Sequence, residues 1–247
     1  MKTIMITGCS SGYGLETARF FHAQGWHVIA TMRTPDPSIL APGERLRILP
    51  LDVTRTDSIE QAMQLAGPVD VLVNNAGIGL FGAFEATPMA TVRAIFDTNT
   101  FGTMAMTQAV LPGFRERRAG LVINVTSTAT MVPFPLVAAY TASKTAVEGF
   151  TESLALELAA FDIRVKLVEP GYGPTTSLGA NGAQRMNGLL TEPYLPFAQS
   201  FFASLGKQAA VTTERAVAEA VWQAANDPAD TLRYPAGDDA IALARLR

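Results

Sequence analysis

The chain has 247 residues, of which 48% are apolar and 17% are charged. This length and composition favour one globular domain over residues 1–247 and exclude a disordered chain. A formal net charge of −3 argues against a strongly basic surface that binds nucleic acid or anionic membranes. One cysteine and two histidines exclude a disulfide framework, and we expect no metal site. No apolar run is long enough to span a membrane, so we expect a cytoplasmic protein.

Short apolar runs alternate with segments of helical period along the chain. The predicted strands are 2–7, 27–32, 46–51, 69–73, 121–125, 164–168 and 232–235. The predicted helices are 15–24, 58–66, 89–110, 138–158 and 214–226. Asp57 and Glu60 resemble a capping box at the start of helix 58–66, and Pro112–Gly113 are expected to break the long helix.

This alternation is typical of a parallel sheet covered by helices on both faces, which is a doubly wound α/β domain. The stretch 170–196 is polar, rich in glycine and without a period. We interpret residues 171–210 as a substrate-loop insertion near the carboxyl ends of the strands, where such folds bind their ligands.

A glycine-rich segment, TGCSSGYG, joins the first strand to the first helix at residues 7–14. Glycine lets the backbone turn tightly and approach a pyrophosphate, which the free N–H groups at a helix N-terminus favour. The alternative is a plain structural turn. The candidate cofactor-binding residues of this loop are Gly8, Ser10, Ser11, Gly12, Tyr13 and Gly14.

Tyr140 and Lys144 are four residues apart, so that a phenol and an ammonium share one face of helix 138–158. The small, apolar neighbours predict a buried helix, in which a lysine needs a reason to be present. A nearby cation lowers the tyrosine pKa from about 10 towards the neutral range that acid–base catalysis requires. The alternative pairs Lys144 with Glu148 on an exposed face.

Taken in order, the motifs resemble those of the short-chain dehydrogenase/reductase family along nearly the whole chain. The members closest in motif are the NADP-preferring 17β-hydroxysteroid and retinol dehydrogenase types. The motifs are Thr7–Gly14, Asp52-Val53, Asn74–Gly77, Asn99, Ser127, Tyr140 with Lys144, and Pro170-Gly171 followed by Thr175.

The resemblance implies a Rossmann-type fold in which Tyr140 is the acid/base of a hydride-transfer reaction. Lys144 would hold the cofactor ribose and lower the pKa of Tyr140. Asn99 would position a water that relays protons, and the alternative is a packing asparagine that bonds a neighbouring strand.

The family spacing selects Ser127 to stabilise charge on the substrate oxygen. Three rival hydroxyls lie beside it, on Thr126, Thr128 and Thr130. The alternative for at least two of these four residues is a capping or turn hydroxyl.

The resemblance also assigns the rest of a cofactor site. Asp52 and Val53 would contact the adenine, although a helix cap is the alternative for Asp52. The other residues implied are Asn75, Ala76, Gly77, Pro170, Gly171, Gly173 and Thr175, of which Gly173 and Thr175 would hold the nicotinamide amide.

Cofactor choice is expected at the end of the second strand, where an acidic residue would accept the ribose hydroxyls of NAD. This chain has Met32-Arg33 there instead. Arg33 with Ser11 suits a 2′-phosphate, which favours NADP(H). The alternative for Arg33 is a surface arginine.

We therefore expect an NADP(H)-dependent oxidoreductase that interconverts a neutral, rather apolar ketone or aldehyde and its alcohol. Two alternatives remain, a non-catalytic NADP-binding redox-sensing regulator and an NAD(P)-dependent sugar epimerase or dehydratase. The expected pocket walls are 81–84, 131–136 and 189–202. The resemblance further implies a homodimer or homotetramer that pairs through helices 96–117 and 138–158.

Overall fold

The computed structural model describes residues 1–174, 185–205 and 210–246. Seven strands from these ranges form one parallel sheet in the order β3-β2-β1-β4-β5-β6-β7. The strands are β1 (Thr3–Ile6), β2 (His27–Met32), β3 (Leu46–Pro50), β4 (Val71–Asn74), β5 (Gly120–Val125), β6 (Ile163–Pro170) and β7 (Arg233–Ala236).

Helices cover both faces of this sheet. They are α1 (Gly12–Ala23), α2 (Thr56–Ala66), α3 (Met89–Phe96), α4 (Gly102–Arg117), α5 (Ala138–Ala159), α6 (Leu195–Leu205), α7 (Glu214–Asn226) and α8 (Asp238–Ala244). Because side chains alternate along a strand, Ile4 and Ile6 pack with α1 and α7, whereas Met5 packs with α2, α4 and α5. The predicted doubly wound α/β fold is confirmed.

The strand order reverses at β1, which pairs with β2 on one side and with β4 on the other. In open α/β sheets, a crevice forms outside the carboxyl ends of the strands at such a switch point. The glycine-rich loop follows β1 and Asn75 follows β4, so both lie at this crevice. Ser127 and Gly171 follow β5 and β6 along the same edge of the sheet.

The expected break near Pro112–Gly113 is wrong, because α4 runs through Pro112 to Arg117. Proline costs one backbone hydrogen bond, but Val110 and Phe114 are both buried against the sheet and hold the helix in place. The irregularity lies earlier, in a π-helical turn at Asp97–Phe101 between α3 and α4.

The expected capping box is also wrong. Helix α2 begins at Thr56, and its N-cap residue Arg55 makes no side-chain cap hydrogen bond. Asp57 lies inside the first turn, where its negative charge interacts favourably with the helix dipole. It also forms an ion pair with Arg55 at 2.6 Å. Within the described ranges, no helix is both long and apolar enough to cross a bilayer.

Candidate active site

The turns that follow β1 and β4 are hydrogen-bonded to each other. Thr7 Oγ1 accepts hydrogen bonds from the backbone N–H groups of Asn75 (3.0 Å) and Ala76 (2.9 Å). In return, Asn75 Nδ2 donates to the carbonyl oxygens of Thr7 (2.9 Å) and Gly8 (3.2 Å). The protein's own contacts therefore fix the shape of the crevice at the switch point.

Two glycines of the loop are required by close approach. Gly8 has φ 74°, and a Cβ there would lie 2.8 Å from Ala76 Cα. A Cβ on Gly14 would lie 2.4 Å from the carbonyl oxygen of Gly8. Ser11 precedes α1 without using its hydroxyl as a cap, and the first N–H groups of a helix lack intrahelical acceptors. The loop therefore suits a phosphate group, whose charge the helix dipole also favours.

The crevice opens into a cleft of about 1330 Å³ along the carboxyl edge of the sheet. This volume exceeds the roughly 300–1,000 Å³ of ordinary small-molecule sites and leaves room for two ligands. The predicted residues that line it are Gly8, Ser10, Ser11, Gly12, Tyr13, Arg33, Asp52, Val53, Asn75, Ala76, Gly77, Ser127, Tyr140, Lys144, Pro170, Gly171 and Gly173. Thr175, which was also predicted, lies outside the described residues.

Ser127 takes the capping role that the sequence left open. It is the N-cap of a 3₁₀ turn at Thr128–Thr130, where its hydroxyl oxygen accepts from the N–H of Ala129 at 3.2 Å. Its side chain also lies near the phenol of Tyr140 and acts to lower the pKa of that phenol. Of the rival hydroxyls, those of Thr126 and Thr130 donate to the carboxylate of Glu148.

Lys144 is buried, and its ammonium donates to the carbonyl oxygen of Val125 at 2.9 Å. Burial lowers its pKa to about 8. The alternative exposed pair with Glu148 is wrong, because Glu148 is itself buried and contacts Arg233 at 3.0 Å.

The expected direction of the Tyr140 pKa is wrong. Burial raises the pKa of this phenol, and the nearby Ser127 side chain offsets part of that rise. The reason is that removal from water penalises the charged phenolate. The ammonium of Lys144 donates to a backbone carbonyl, so it is not a simple counter-ion to the phenol.

Asn99 lies in the π-helical turn, buried under the loop that follows β4. Its Oδ1 accepts from the N–H of Ile78 at 2.8 Å, and its Nδ2 donates to the carbonyl of Ile78 at 3.0 Å and to Ser143 Oγ at 3.1 Å. A Cβ on Gly77 would lie 3.4 Å from Asn99 Oδ1 and 3.5 Å from Lys144 Nζ. Asn99 therefore bonds a loop rather than a strand, and it holds this loop beside Lys144.

Asp52 and Arg33 lie at the same end of the cleft. The Asp52 carboxylate accepts from the backbone N–H (3.0 Å) and the hydroxyl (2.7 Å) of Thr54, so it does not cap α2. Burial would raise its pKa, but the Thr54 hydrogen bonds and the charges of Arg33 and Arg55 leave that pKa below its usual value.

The opposite end of the cleft is apolar. Phe81 contacts Phe202, with ring centroids 5.9 Å apart, and Phe202 contacts Phe201. These rings line the cleft together with Val132 and Phe134. Each of the three expected walls therefore contributes, although Phe84 and Phe197 are 58% and 50% exposed.

Sequence reasoning missed several residues at the cleft, among them Tyr172 and three residues of α8. Tyr172 follows Gly171, and Asp239, Ala242 and Leu243 belong to α8. The paired acids at the start of 238–244 and the apolar residues after them could have indicated this short helix.

The fold and the cleft define a Rossmann-type α/β protein with a nucleotide-sized crevice at its switch point. A family profile described as short chain dehydrogenase matches residues 2–185. The chain belongs to this family.

Two curated relatives show the range of the similarity. Retinol dehydrogenase 8 of Homo sapiens is 38% identical over 83% of this chain and 73% of its own length. A 3-ketodihydrosphingosine reductase of Bacteroides thetaiotaomicron is 42% identical over 69% of this chain. The chain spans 63% of that reductase's length.

Solved structures agree on the fold. A short-chain dehydrogenase from Streptomyces avermitilis superposes with a TM-score of 0.82 at 32% identity, covering 98% of this chain and 90% of its own. A serine dehydrogenase complexed with NADP+ has a TM-score of 0.78 at 31% identity, covering 94% and 93%. A short-chain dehydrogenase/reductase from Burkholderia phymatum in complex with NAD has a TM-score of 0.83, covering 100% of this chain and 92% of its own. Its sequence identity is 22%, so this match shows a similar fold alone.

Proposed function

We propose that this protein is an NADP(H)-dependent oxidoreductase that interconverts a neutral, rather apolar ketone or aldehyde and its alcohol. The observation that carries the proposal is that Ser127, Tyr140 and Lys144 line one cleft, with Lys144 one helical turn from Tyr140 on α5. A phenol, a hydroxyl and an ammonium together provide a proton donor and groups that stabilise charge on a carbonyl oxygen.

The cleft of about 1330 Å³ would hold a dinucleotide. The start of α1 offers N–H groups for its phosphates. Arg33 and Ser11 would hold a 2′-phosphate, and Lys144 the ribose hydroxyls. When bound, the nicotinamide cofactor supplies or accepts the hydride. The complex of the serine dehydrogenase with NADP+ supports this choice of cofactor.

In the reduction direction, Tyr140 donates its phenolic proton to the substrate oxygen. Burial keeps the pKa of this phenol high, so that the donor form is present at neutral pH. Ser127 donates a hydrogen bond to the same oxygen and stabilises charge on it. Asn99 holds the loop at Gly77 and Ile78 against Lys144, and we propose that it is a positioning residue.

The apolar end of the cleft supports a substrate with a large hydrocarbon portion. Phe81, Phe134 and Phe202 would contact that portion, because burial of apolar surface favours such ligands. The names of the relatives refer to retinol and to a ketodihydrosphingosine, which agrees with this substrate class.

A panel of aldehydes and ketones with NADPH, followed by absorbance at 340 nm, tests the proposal. We expect turnover that increases with the apolar size of the carbonyl compound. Cofactor binding without turnover of any substrate in either direction would favour the regulator alternative. Turnover of nucleotide sugars alone would favour the epimerase or dehydratase.

We also propose that two copies pair through α4 and α5. Phe101, directly before α4, is 58% exposed, and Leu156 on α5 is 82% exposed. Light scattering of the wild-type protein and of Leu156→Glu tests this pairing. We expect a dimer or tetramer that the new charge dissociates.

A further inference from the structure

Asp239 on α8 contacts the segment that follows β6, although 67 residues separate it from Tyr172. One carboxylate oxygen, Oδ2, accepts from the backbone N–H of Tyr172 at 2.7 Å. The other, Oδ1, accepts from the hydroxyl of Thr212 at 2.7 Å. The same hydroxyl oxygen accepts from the N–H of Gly171 at 2.9 Å, and the N–H of Thr212 donates to the carbonyl of Tyr172 at 2.8 Å.

We call Gly171, Tyr172, Thr212 and Asp239 the clasp. Thr212 is fully buried, and its hydroxyl also lies 2.9 Å from the carbonyl oxygen of Ala236. Because a hydroxyl has one hydrogen, Thr212 donates either to this carbonyl or to Asp239, but not to both at once. Both carboxylate oxygens of Asp239 and the Thr212 hydroxyl thus have hydrogen-bond partners within the protein.

At two positions, the side chains of the clasp lie so close to the backbone that only glycine fits. A Cβ on Gly171 would lie 2.1 Å from Asp239 Oδ2, so no other residue fits against the carboxylate. Gly237 has φ 99°, and a Cβ added there would lie 2.2 Å from Thr212 Oγ1. The local sequence is thus adapted to these hydrogen bonds on both sides.

We propose that Thr212 and Asp239 are positioning residues for the nicotinamide half of the cofactor. The clasp fixes Gly171 and Tyr172, which line the cleft together with Gly173. At the adenine end, by contrast, the lining residues Arg33, Asp52 and Val53 follow β2 and β3, which lie on the other side of β1. A shift of the clasp would move one end of the cleft and leave the other in place. This inference rests on the proposed function.

The experiment compares Kd values for NADPH and for adenosine 2′,5′-bisphosphate, which lacks the nicotinamide half. Thr212→Val keeps the shape of the side chain and removes the hydroxyl. We expect it to raise the Kd for NADPH about 10-fold, the equivalent of roughly 1.4 kcal/mol. The Kd for adenosine 2′,5′-bisphosphate should change less than twofold. Thr212→Ser, which restores the hydroxyl, should bind NADPH within about twofold of wild type.

Thr213→Val is the matched control. Thr213 is the N-cap of α7, and its hydroxyl accepts from the N–H of Ala216 at 3.1 Å. Its loss should lower the melting temperature without changing either Kd, because the cap lies outside the clasp. A general loss of stability is thereby separated from a loss of positioning.

Asp239→Asn provides a second variant if Thr212→Val does not fold. An asparagine can accept from Tyr172 and donate to Thr212, so NADPH binding should stay within about threefold of wild type. Asp239→Ala should weaken NADPH about 10-fold, as the loss of the Thr212 hydroxyl does.

Two results would overturn the inference: equal weakening of NADPH and the fragment in Thr212→Val, or no weakening of NADPH binding in that variant. If NADPH binding is unaffected in Thr212→Val but strongly weakened in Asp239→Asn, the Asp239 charge acts on the ligand directly. A wild-type protein that binds neither NADPH nor NADH would instead contradict the proposed function.

Discussion

The guanidinium of Arg233 on β7 contacts the buried carboxylate of Glu148 on α5 at 3.0 Å. Arg233 also pairs with Glu169 at 2.5 Å and with Glu152. The other oxygen of Glu148 accepts hydrogen bonds from two threonines that flank Ser127. A strand near the end of the chain therefore supports the segment that carries the candidate catalytic serine.

Arg233→Met should lower the free energy of unfolding by about 3 kcal/mol, because it removes the guanidinium that contacts the buried carboxylates of Glu148 and Glu169. Urea unfolding at pH 7 measures the loss. Arg233→Lys keeps the charge and should lose less. Equal losses for the two variants would contradict this account.

Tyr140→Phe should remove nearly all turnover and preserve cofactor binding, since only the transferable proton is lost. In the wild type, burial raises the phenol pKa, so carbonyl reduction should be insensitive to pH around neutrality. Alcohol oxidation needs the phenolate and should accelerate as the pH rises. Steady-state rates in both directions test this. More than a tenth of the wild-type kcat in Tyr140→Phe would place the acid elsewhere.

Lys144→Met should change how stability depends on pH. The pKa of Lys144 is lowered from 10.5 to about 8, so between these values the unfolded chain binds more protons than the folded one. The contribution of Lys144 to the free energy of unfolding should therefore rise from pH 8 to 10, by roughly 2 kcal/mol. Burial raises the pKa of Cys9 from 9.0 to about 12, which acts in the opposite direction, so the quantity to measure is the difference in stability between Lys144→Met and the wild type.

Lys2→Met is the control for this measurement, because Lys2 is exposed and lies over the Trp26 ring. It should keep the wild-type slope. The same pH dependence in Lys144→Met as in the wild type would contradict the assignment of this change to Lys144. Lys144→Met should also weaken cofactor binding, whereas Lys2→Met should not.

Arg33→Ala should weaken NADPH binding and leave NADH binding nearly unchanged. Arg33 is exposed, so the preference for NADPH should be about 10-fold, near the lower bound for a charge-assisted hydrogen bond. Added salt should reduce it. Arg93→Ala is the matched control, because Arg93 is an exposed arginine on α3 and does not line the cleft.

Met32→Asp should reverse the preference, so that NADH binds more tightly than NADPH. The new carboxylate repels a 2′-phosphate and accepts hydrogen bonds from the ribose hydroxyls. Calorimetric titration of both cofactors against each protein measures these effects. Equal affinities of the wild type for NADH and NADPH would rule out the assigned phosphate site.

The sheet could be predicted from sequence because each central strand is a short apolar run, buried on both faces. Val71–Asn74, for example, is buried at every position. The candidate site could be found where its chemistry is local. Gly8 and Gly14 share one loop, and Tyr140 and Lys144 share one helix face.

The features of the site that could not be predicted depend on contacts between residues far apart in the chain. Nothing near Asp239 indicates that it meets Tyr172, and nothing near Glu148 indicates Arg233. The direction of the Tyr140 pKa likewise depends on how many groups surround the phenol, which only tertiary structure decides.

The π-helical turn at Asp97–Phe101 lies between Ile95 and Met106. A π-helical turn bonds residue i to residue i+5, so it contains one residue more than the same turn of an α-helix. Deletion of one residue from it should therefore give a continuous α-helix that keeps Ile95 and Met106, both fully buried, in the core. The cost should fall on the site instead, because Asn99 lies in this turn and bonds Ile78. A shortened variant should thus fold but lose the support that Asn99 gives to the loop beside Lys144.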